Sequence, residues 1–341
     1  MIISKNRDAF LDIAKGLAII LVVVGHVVQG SSENFDGLLW FRVIYSFHMP
    51  LFVFLSGAVA AIAFQSDSVQ DGIGSTFRRA KTKISKASIR LLLPFLAWCV
   101  INQLIYHHSD SVISALILAF RRPDTALWFL LAIFYCIVLA SIFEIAFSVL
   151  NLLFQKAGLK TVSKLLCDGR IQIILMVLIW WAIREHTPRG AGIGLLRPYF
   201  IYYLLGVGFY KYVYLKLSTW KYLPAWIIFI GLIPFWSRTA VDNIDGLTLV
   251  LPGLIYFYAG VVALTGSLVI LSVAKWISET TIKSIRNFLI LCGKLSLGVY
   301  AIHYFFLAYS PKVIAPLLIS IGLAYGINRT PVLRTVLLGE R

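Results

Sequence analysis

Long apolar runs separated by short polar segments make up most of this 341-residue chain. A run of about 20 apolar residues is the length that an α-helix needs to cross the hydrocarbon core of a bilayer. Counting such runs predicts about ten transmembrane helices in an all-α, polytopic integral membrane protein. The predicted spans lie near residues 9–29, 38–64, 88–106, 127–150, 171–185, 198–214, 222–237, 249–274, 288–307 and 313–328.

We expect one domain over residues 1–341, because the sequence shows no internal repeat, soluble appendage or low-complexity tail. The first apolar run is long and lacks a small-residue cleavage site, so we expect it to remain as a membrane anchor. Residues 65–85, which begin polar and become basic, are expected to form the loop between spans two and three. The later segment VISALILAF is too short to cross a bilayer and predicts a re-entrant or interfacial element.

The composition excludes a soluble globular domain. The chain is 60% hydrophobic and 13% charged, with a mean hydropathy of +0.86. Its net charge of +16 would suggest a nucleic-acid partner for a soluble protein, but here the basic residues flank apolar runs, so no nucleic-acid partner is expected. An even number of spans places both termini on the same side of the membrane. On that side fall 23 of the 31 Lys and Arg residues. The positive-inside rule therefore predicts that both termini are cytoplasmic.

Neither a disulfide framework nor a metal site is expected. The four cysteines include no CxxC pair and lie within or beside apolar runs or in a loop predicted to be cytosolic. The histidines show no HExxH or similar metal-binding spacing.

The first span contains three ionisable residues, Asp12, Lys15 and His26. Ionisable groups within a membrane span are unfavourable, so these residues are candidates for a functional site. Eleven positions separate Lys15 from His26. At about 100° per residue, the two side chains share a helix face within roughly 20°, about 16 Å apart along the axis. Asp12 and Lys15 also allow a structural ion pair, which would make Lys15 less available to a ligand.

Two more histidines lie at a depth comparable to that of His26. His48 falls at the predicted outer start of span two, and His303 falls toward the outer end of span nine. One such histidine often serves only to join helices by hydrogen bonds, but three at similar depth indicate a shared catalytic site. Ser296 and Tyr300 precede His303 at helical spacing, so they are candidates to orient an imidazole, stabilise an oxyanion or bind an acceptor. Hydrogen bonding between helices remains the alternative for both.

Lys86 and Arg90 are four residues apart, just before the apolar run LLLPFLAW. This spacing puts both cations on one helix face. They indicate either membrane topology alone or a cytosolic anion site.

Two blocks near the N-terminus resemble the opening of the type-3 family of bacterial membrane acyltransferases, and more narrowly its fucose 4-O-acetylase and exopolysaccharide O-acetylase branch. The blocks are RDAFLDIAKGLAIILVVVGHVV and YSFHMPLFVFLSGAV. Three later segments agree with this resemblance: IRLLLPFLAW, LWFLLAIFYC and GKLSLGVYAIH. A fourth, PYFIYYLLGVGFYK, is similar in position and residue composition. The resemblance extends over essentially the whole chain in order.

The resemblance implies transfer of an acyl group, most simply acetyl, from acyl-CoA to a hydroxyl of a surface polysaccharide, lipid-linked glycan or similar sugar. It also implies the bacterial inner membrane, with polysaccharide-assembly proteins as candidate partners. The family's signature of a basic residue, ten intervening residues and a histidine matches Lys15 and His26, which makes His26 the catalytic histidine. The family's basic pair before span three is represented by Lys83, Lys86 and Arg90, without two arginines three apart.

The chemistry of such a donor agrees with the charge pattern. Acyl-CoA is cytosolic and carries several phosphates, so Lys15, Lys86 and Arg90 are the predicted donor-binding residues, and no tightly bound cofactor is expected. A neutral imidazole at His26 could act as a general base, a role that contributes about 10²- to 10⁴-fold in rate. It could instead accept the acyl group and pass it on.

A transporter or flippase for a glycan-related solute is the alternative function, with the buried ionisable groups relaying protons. That class favours an internal repeat with broken helices in corresponding halves, and the sequence indicates neither. A structural scaffold explains the three outer histidines least well.

Overall fold

The computed structural model describes residues 8–31, 33–63, 72–106, 111–121, 127–188, 190–214, 218–238, 250–280, 282–309 and 312–340. These residues form helices and connecting turns, with no β-strand among them. The α-helices are α1 (Ala9–Gln29), α2 (Leu39–Ala63), α3 (Ile73–Ala87), α4 (Leu93–Tyr106), α5 (Val112–Arg121), α6 (Trp128–Lys156), α7 (Lys160–Leu166), α8 (Gly169–Ile183), α9 (Leu196–Gly208), α10 (Leu223–Leu232), α11 (Val250–Glu279), α12 (Lys283–Lys294), α13 (Ser296–Ile302), α14 (Ile314–Asn328) and α15 (Pro331–Leu338).

The lengths and composition of these helices confirm an all-α, polytopic membrane protein. In the described part of the chain, six helices are long and apolar enough to cross a membrane. The number rises to eight if each of two bent pairs, α7 with α8 and α12 with α13, forms one span. Two shorter apolar helices, Thr219–Phe235 and Ile314–Asn328, lie where the sequence predicts spans seven and ten.

The structure corrects the prediction of one continuous helix over residues 288–307. The chain bends by 66° between α12 and α13. Leu295 leaves helical geometry there, with φ −95° and ψ 8°. Gly293, two residues earlier, packs so closely on α1 that an added Cβ would collide with the carbonyl of Asp12. This contact holds α12 on α1, and the chain changes direction immediately after it.

The predicted loop over residues 65–85 is also corrected in its described part. Residues 73–87 form the amphipathic helix α3, which continues through a π-helical turn, Ser88–Leu92, into α4. Thr76, Ala80 and Ala87 recur at helical spacing and are buried. These small side chains let α3 pack against α6 and leave several of its basic residues exposed, so a segment too polar to be counted as a span still forms a helix.

The described residues fall into two compact units. The first comprises residues 1–55 and 216–326, and the second comprises residues 56–215 and 327–341. The first unit contains α1, most of α2 and the helices from α10 to α14. The second contains α3 to α9 and α15.

In the first unit, α1 packs mainly against α12, with further contacts to α11 and α13. The α1–α12 contact depends on a glycine in each helix. A Cβ at Gly16 would collide with the carbonyl of Leu289, just as a Cβ at Gly293 would collide with that of Asp12. Close backbone approach at small residues is a common way for membrane helices to associate. It holds α1, and the histidine near its end, in one position against α12.

In the second unit, the C-terminal helix α15 packs against α4. The indole Nε1 of Trp98 donates a hydrogen bond of 2.9 Å to the carbonyl of Leu337. Gly339 then ends α15 with a left-handed backbone at φ +64°, and a Cβ there would meet the carbonyl of Arg90. Glycine is favoured at this position because it combines a positive φ with a close backbone contact.

Candidate active site

The imidazole of His26 lies between two tyrosine hydroxyls near the end of α1. The Oη of Tyr304 is 2.9 Å from Nδ1 and 3.0 Å from Nε2 of His26. The Oη of Tyr45, from α2, is 3.3 Å from the same Nδ1. His26 is half-buried, whereas Tyr304 is 47% exposed, so the site is accessible from the Tyr304 side.

A third residue, Gln29, favours one tautomer of His26. The hydroxyl of Tyr45 donates its proton to Oε1 of Gln29 over 2.6 Å. Because a hydroxyl has only one proton, the Tyr45 oxygen meets Nδ1 of His26 as an acceptor. This arrangement favours a proton on Nδ1 and leaves the lone pair on Nε2. A neutral imidazole in that state can accept a proton from a hydroxyl group.

The two other predicted histidines lie in the same unit. The His303 ring is 5.3 Å from the His26 ring, measured between centroids, and is fully buried. His48 is also buried, and its ring centroid is 4.6 Å from that of Tyr45. The structure therefore places His303 beside His26, and it places His48 beside the tyrosine that contacts His26.

Backbone hydrogen bonds define the orientation of both buried histidines. Nδ1 of His303 lies 3.1 Å and 2.8 Å from the carbonyls of Val299 and Tyr300. Nδ1 of His48 lies 3.0 Å from the carbonyl of Ile44. A carbonyl oxygen can only accept, so Nδ1 carries the proton in each ring. Nε2 of His303 is buried without a hydrogen-bond partner among the described residues.

Tyr300 and Ser296 belong to the short helix that positions His303. The buried Tyr300 ring is 6.1 Å from the His303 ring, and its carbonyl accepts the hydrogen bond just described. Ser296 is the first residue of α13 and directly follows the bend at Leu295. Both residues therefore lie on the element that brings His303 toward His26.

Lys15 and Asp12 form the ion pair that the sequence left as an alternative. Lys15 Nζ is 2.7 Å from Asp12 Oδ1, and the Asp12 side chain is only 4% exposed. The carboxylate neutralises the lysine in the first span. This pairing restricts how freely Lys15 can reach an anionic ligand.

The predicted cations before span three lie in the second unit. Lys86 and Arg90 are both exposed, and Arg90 lies in the π-helical turn. Lys83 instead forms hydrogen bonds of 2.8 and 2.6 Å with the two carboxylate oxygens of Glu144. Of the three, Lys86 and Arg90 are therefore the ones whose side chains are open to solvent.

Sequence reasoning missed three residues that contact or orient His26: Gln29, Tyr45 and Tyr304. Gln29 follows His26 by three positions, a spacing that places the two on one helix face. Tyr45 is part of the YSFHMP block, and Tyr304 directly follows His303. A tyrosine next to a membrane histidine is a weak signal by itself, because tyrosines are common at the ends of membrane spans.

A series of aromatic rings connects the loop that follows α1 to the site, and an ion pair joins the same loop to Arg238. The rings of Phe35, Phe41 and Tyr45 are in series, with centroids 4.9 and 4.0 Å apart. Arg238 binds both carboxylate oxygens of Asp36 at 2.9 and 2.8 Å. These hydrogen bonds hold the pKa of Asp36 below its ordinary value.

We expect the Asp36–Arg238 pair to make a small, pH-dependent contribution to stability. The pKa of Asp36 is lowered by folding, so the contribution is present above the unfolded-state pKa of about 3.9 and disappears as the pH falls through the folded value. Both side chains are partly exposed, which limits it to about 1 kcal/mol or less. The difference in thermal unfolding midpoint between wild type and Asp36→Asn should therefore be larger at pH 7 than at pH 3. Glu33→Gln, in the same exposed loop, is the matched control, and an equal Asp36→Asn deficit at both pH values would contradict the assignment.

Comparison with known proteins identifies the family. A family profile described as "Acyltransferase domain", of the type-3 acyltransferases, matches residues 8–338. Nodulation protein NolL of Sinorhizobium fredii (strain NBRC 101917 / NGR234) is 31% identical over 181 residues, which are 51% of this chain and 43% of that protein. Nodulation protein NolL of Mesorhizobium japonicum (strain LMG 29417 / CECT 9101 / MAFF 303099) is 35% identical over 102 residues, which are 29% of this chain and 24% of that protein.

The chain thus aligns with less than half the length of either relative. No solved structure matches it. The family profile, in contrast, extends from the start of α1 to the end of α15. This match confirms the resemblance seen in the sequence: the chain belongs to the type-3 membrane acyltransferase family.

Proposed function

We propose that this protein is an integral-membrane O-acyltransferase, most simply an O-acetyltransferase, with acyl-CoA as the donor. The acceptor is a hydroxyl of a surface polysaccharide, a lipid-linked glycan or a similar sugar. The observation that carries the proposal is the His26 imidazole, held by Tyr45 and Tyr304 in a chain of the acyltransferase family. A hydrogen-bonded neutral imidazole open to one side suits proton transfer from a bound hydroxyl.

In the proposed reaction, Nε2 of His26 removes the proton of the acceptor hydroxyl. The hydroxyl oxygen attacks the thioester carbonyl carbon, the carbon–sulfur bond breaks, and the thiolate of CoA leaves and takes up the proton. The Tyr304 hydroxyl, 3.0 Å from Nε2, is close enough to donate a hydrogen bond to the oxyanion that forms on the carbonyl. His303, His48, Tyr300 and Ser296 support this centre.

A second route would use His26 as an acyl carrier. Nε2 would attack the thioester, CoA would leave, and the acceptor hydroxyl would then displace the imidazole. Incubation with radiolabelled acyl-CoA in the absence of acceptor separates the two routes. Label retained on the protein and lost in His26→Ala supports the carrier, whereas no label under conditions of active transfer supports the general base.

Donor binding is assigned to Lys86 and Arg90, with Lys15 in a secondary role because it is paired with Asp12. Changing Lys86 and Arg90 together to Gln should raise the apparent KM for acyl-CoA about tenfold or more, because each charged contact with phosphate is lost. Membrane insertion and kcat should change little. Arg78→Gln with Lys81→Gln, two exposed cations of α3, is the matched control, and an unchanged KM in the Lys86/Arg90 variant would reject this assignment.

The proposed setting is the bacterial inner membrane, with residues 1–341 acting as one acyltransferase domain of about ten spans. The excess of basic residues on the side of the termini supports cytoplasmic termini, the side on which acyl-CoA is available. Polysaccharide-assembly proteins are the proposed partners, since they would supply the acceptor.

Deletion of the gene, followed by mass and ester analysis of surface glycans, tests the function as a whole. We expect the loss of one type of ester and of the mass of its acyl group, which identifies both the acyl group and the acceptor. Unchanged ester content would overturn the acyltransferase proposal. Loss of the whole glycan with no ester change in its precursor would instead favour a transporter.

A further inference from the structure

The hydroxyl of Tyr304 occupies the position that an acceptor hydroxyl needs in the reaction proposed above. Nδ1 of His26 directs its proton to Tyr45, so the lone pair of the ring is on Nε2. The Oη of Tyr304 is 3.0 Å from Nε2, within the distance at which a general base takes up a proton. A nitrogen with one lone pair accepts one such hydrogen bond. An acceptor hydroxyl therefore reaches Nε2 only after the Tyr304 hydroxyl has left it.

The ring of Tyr304 also covers the imidazoles of the site. Its centroid is 4.6 Å from that of His26 and 4.6 Å from that of His303. His303 is fully buried and His26 is half-buried, whereas Tyr304 is exposed. Tyr304 thus lies at the boundary between these two rings and their surroundings, where an incoming acceptor meets it first.

Tyr304 can move without disturbing the groups that hold the site together. It belongs to a 3₁₀-helical segment, His303–Phe306, which follows the seven-residue helix α13. The hydrogen bonds of a 3₁₀-helix have poorer geometry than those of an α-helix, so such a segment adjusts more easily. His303 is anchored separately, because its Nδ1 is bonded to two backbone carbonyls of α13. Rotation of the exposed Tyr304 side chain therefore frees Nε2 of His26 and leaves His303 in place.

A tyrosine in this position competes well with water for the imidazole. Its hydroxyl is tethered to the protein, so it meets Nε2 of His26 at a high effective concentration and loses little further entropy when the hydrogen bond forms. A free water molecule offers the same kind of hydrogen bond without that advantage. A glycan differs from water, because contacts made by the rest of the sugar help its hydroxyl to displace the tyrosine.

We propose that Tyr304 is a specificity-determining residue that keeps water away from Nε2 of His26 until a glycan hydroxyl displaces it. The inference rests on the function proposed above and adds selection between two acceptors, the glycan and water. Once displaced, the Tyr304 hydroxyl no longer donates its single proton to Nε2, so that proton becomes available to the oxyanion. One side chain thus protects the donor before the acceptor binds and assists transfer afterwards.

The reaction that Tyr304 suppresses is hydrolysis of the donor. Without the tyrosine hydroxyl, a water molecule takes its place at Nε2 of His26, which removes a proton from it. The water oxygen attacks the thioester carbonyl carbon, the carbon–sulfur bond breaks, and the thiolate of CoA leaves and takes up the proton. The products are the free carboxylic acid and CoA, so acyl-CoA is consumed and no ester forms on a glycan.

The ratio of hydrolysis to transfer in Tyr304→Phe tests this role. Inverted membrane vesicles from the gene-deletion strain, complemented with each variant, receive acetyl-CoA labelled in the acetyl group, and free acetate and glycan-bound label are counted in the same reaction. Hydrolysis in His26→Ala vesicles is subtracted as background. We expect the ratio to rise about tenfold, because loss of one hydrogen bond lets water compete for Nε2. Tyr304→Ala, which also removes the ring, should raise it further.

Matched variants separate this role from others. Tyr309→Phe changes an exposed tyrosine five positions further along the chain and should keep the wild-type ratio. Tyr45→Phe acts on the Nδ1 side of His26, so it should slow both reactions and leave their ratio unchanged. Combining His26→Ala with Tyr304→Phe should abolish the extra hydrolysis, since that hydrolysis depends on Nε2.

An unchanged ratio in Tyr304→Phe would overturn the inference, because a tyrosine that only binds the oxyanion or supports the fold affects both reactions alike. An acyl ester found on Tyr304 by peptide mass spectrometry would also overturn it, since the hydroxyl would then carry the acyl group. Failure of the proposed function looks different, because wild type and His26→Ala would then give the same transfer. If His26→Ala abolishes transfer and Tyr304→Phe keeps the wild-type ratio, only the inference about Tyr304 fails.

Discussion

His26→Ala should reduce acyl transfer to the glycan by about 10²- to 10⁴-fold, which is the usual contribution of a positioned general base. The imidazole is the group that both tyrosine hydroxyls contact, and its Nε2 is the only nitrogen of the ring left to act as a base when Nδ1 donates to Tyr45. The measurement is transfer of radiolabelled acetyl from acetyl-CoA into surface glycan, normalised to the amount of protein in the membrane.

Two further variants make this test specific. His186→Ala removes an exposed histidine from the second unit and should leave transfer unchanged. Tyr45→Phe keeps the His26 imidazole but removes the hydrogen bond that favours its tautomer, so we expect an intermediate loss and a shifted pH–rate profile. Full transfer by His26→Ala at normal protein levels would exclude His26 as the catalytic base or acyl carrier.

Gly293→Ala should lower the stability of the first unit by about 3 kcal/mol, near the upper end of what overpacking a core typically costs. The new methyl group would collide with the carbonyl of Asp12. A backbone atom cannot move aside as a flexible side chain can, so α1 and α12 must separate. We expect a lower thermal unfolding midpoint in detergent, together with reduced transfer, since α1 carries His26.

Gly322→Ala is the matched control for this prediction. Gly322 lies within α14, and nothing lies within 4 Å of the position that its Cβ would take. The same substitution there should be neutral or stabilising by up to about 1 kcal/mol, because alanine is the better helix former. Equal midpoints for Gly293→Ala and Gly322→Ala would show that the α1–α12 contact is not as close as the structure indicates.

The features that the sequence predicted well are those that depend on neighbouring positions. The first span is predicted over residues 9–29 and forms the helix Ala9–Gln29, because a mainly apolar run with polar residues on either side defines both of its ends. The Asp12–Lys15 pair follows from a spacing of three residues on one helix. The family could be recognised for the same reason, since its motifs are short and continuous.

Other features depend on segments distant in sequence, and their prediction was incomplete or wrong. Span nine looks like one apolar run, but Gly293 is held against α1 and the chain bends after it. The π-helical turn at Arg90 leaves no mark in the pattern of apolar residues, because it shifts the register by a single residue. The ion pair of Lys83, one of the residues that represent the family's basic pair, was not predicted, because its carboxylate partner Glu144 lies 61 positions away.

The sequence by itself determined the all-helical membrane architecture, the family and the three histidines, because apolar run lengths and short motifs are local properties of the chain. The tertiary structure alone decided which groups surround His26. Tyr304 is 278 positions from His26, and only the packing of α1 against α12 and α13 brings its hydroxyl within hydrogen-bond distance of the imidazole.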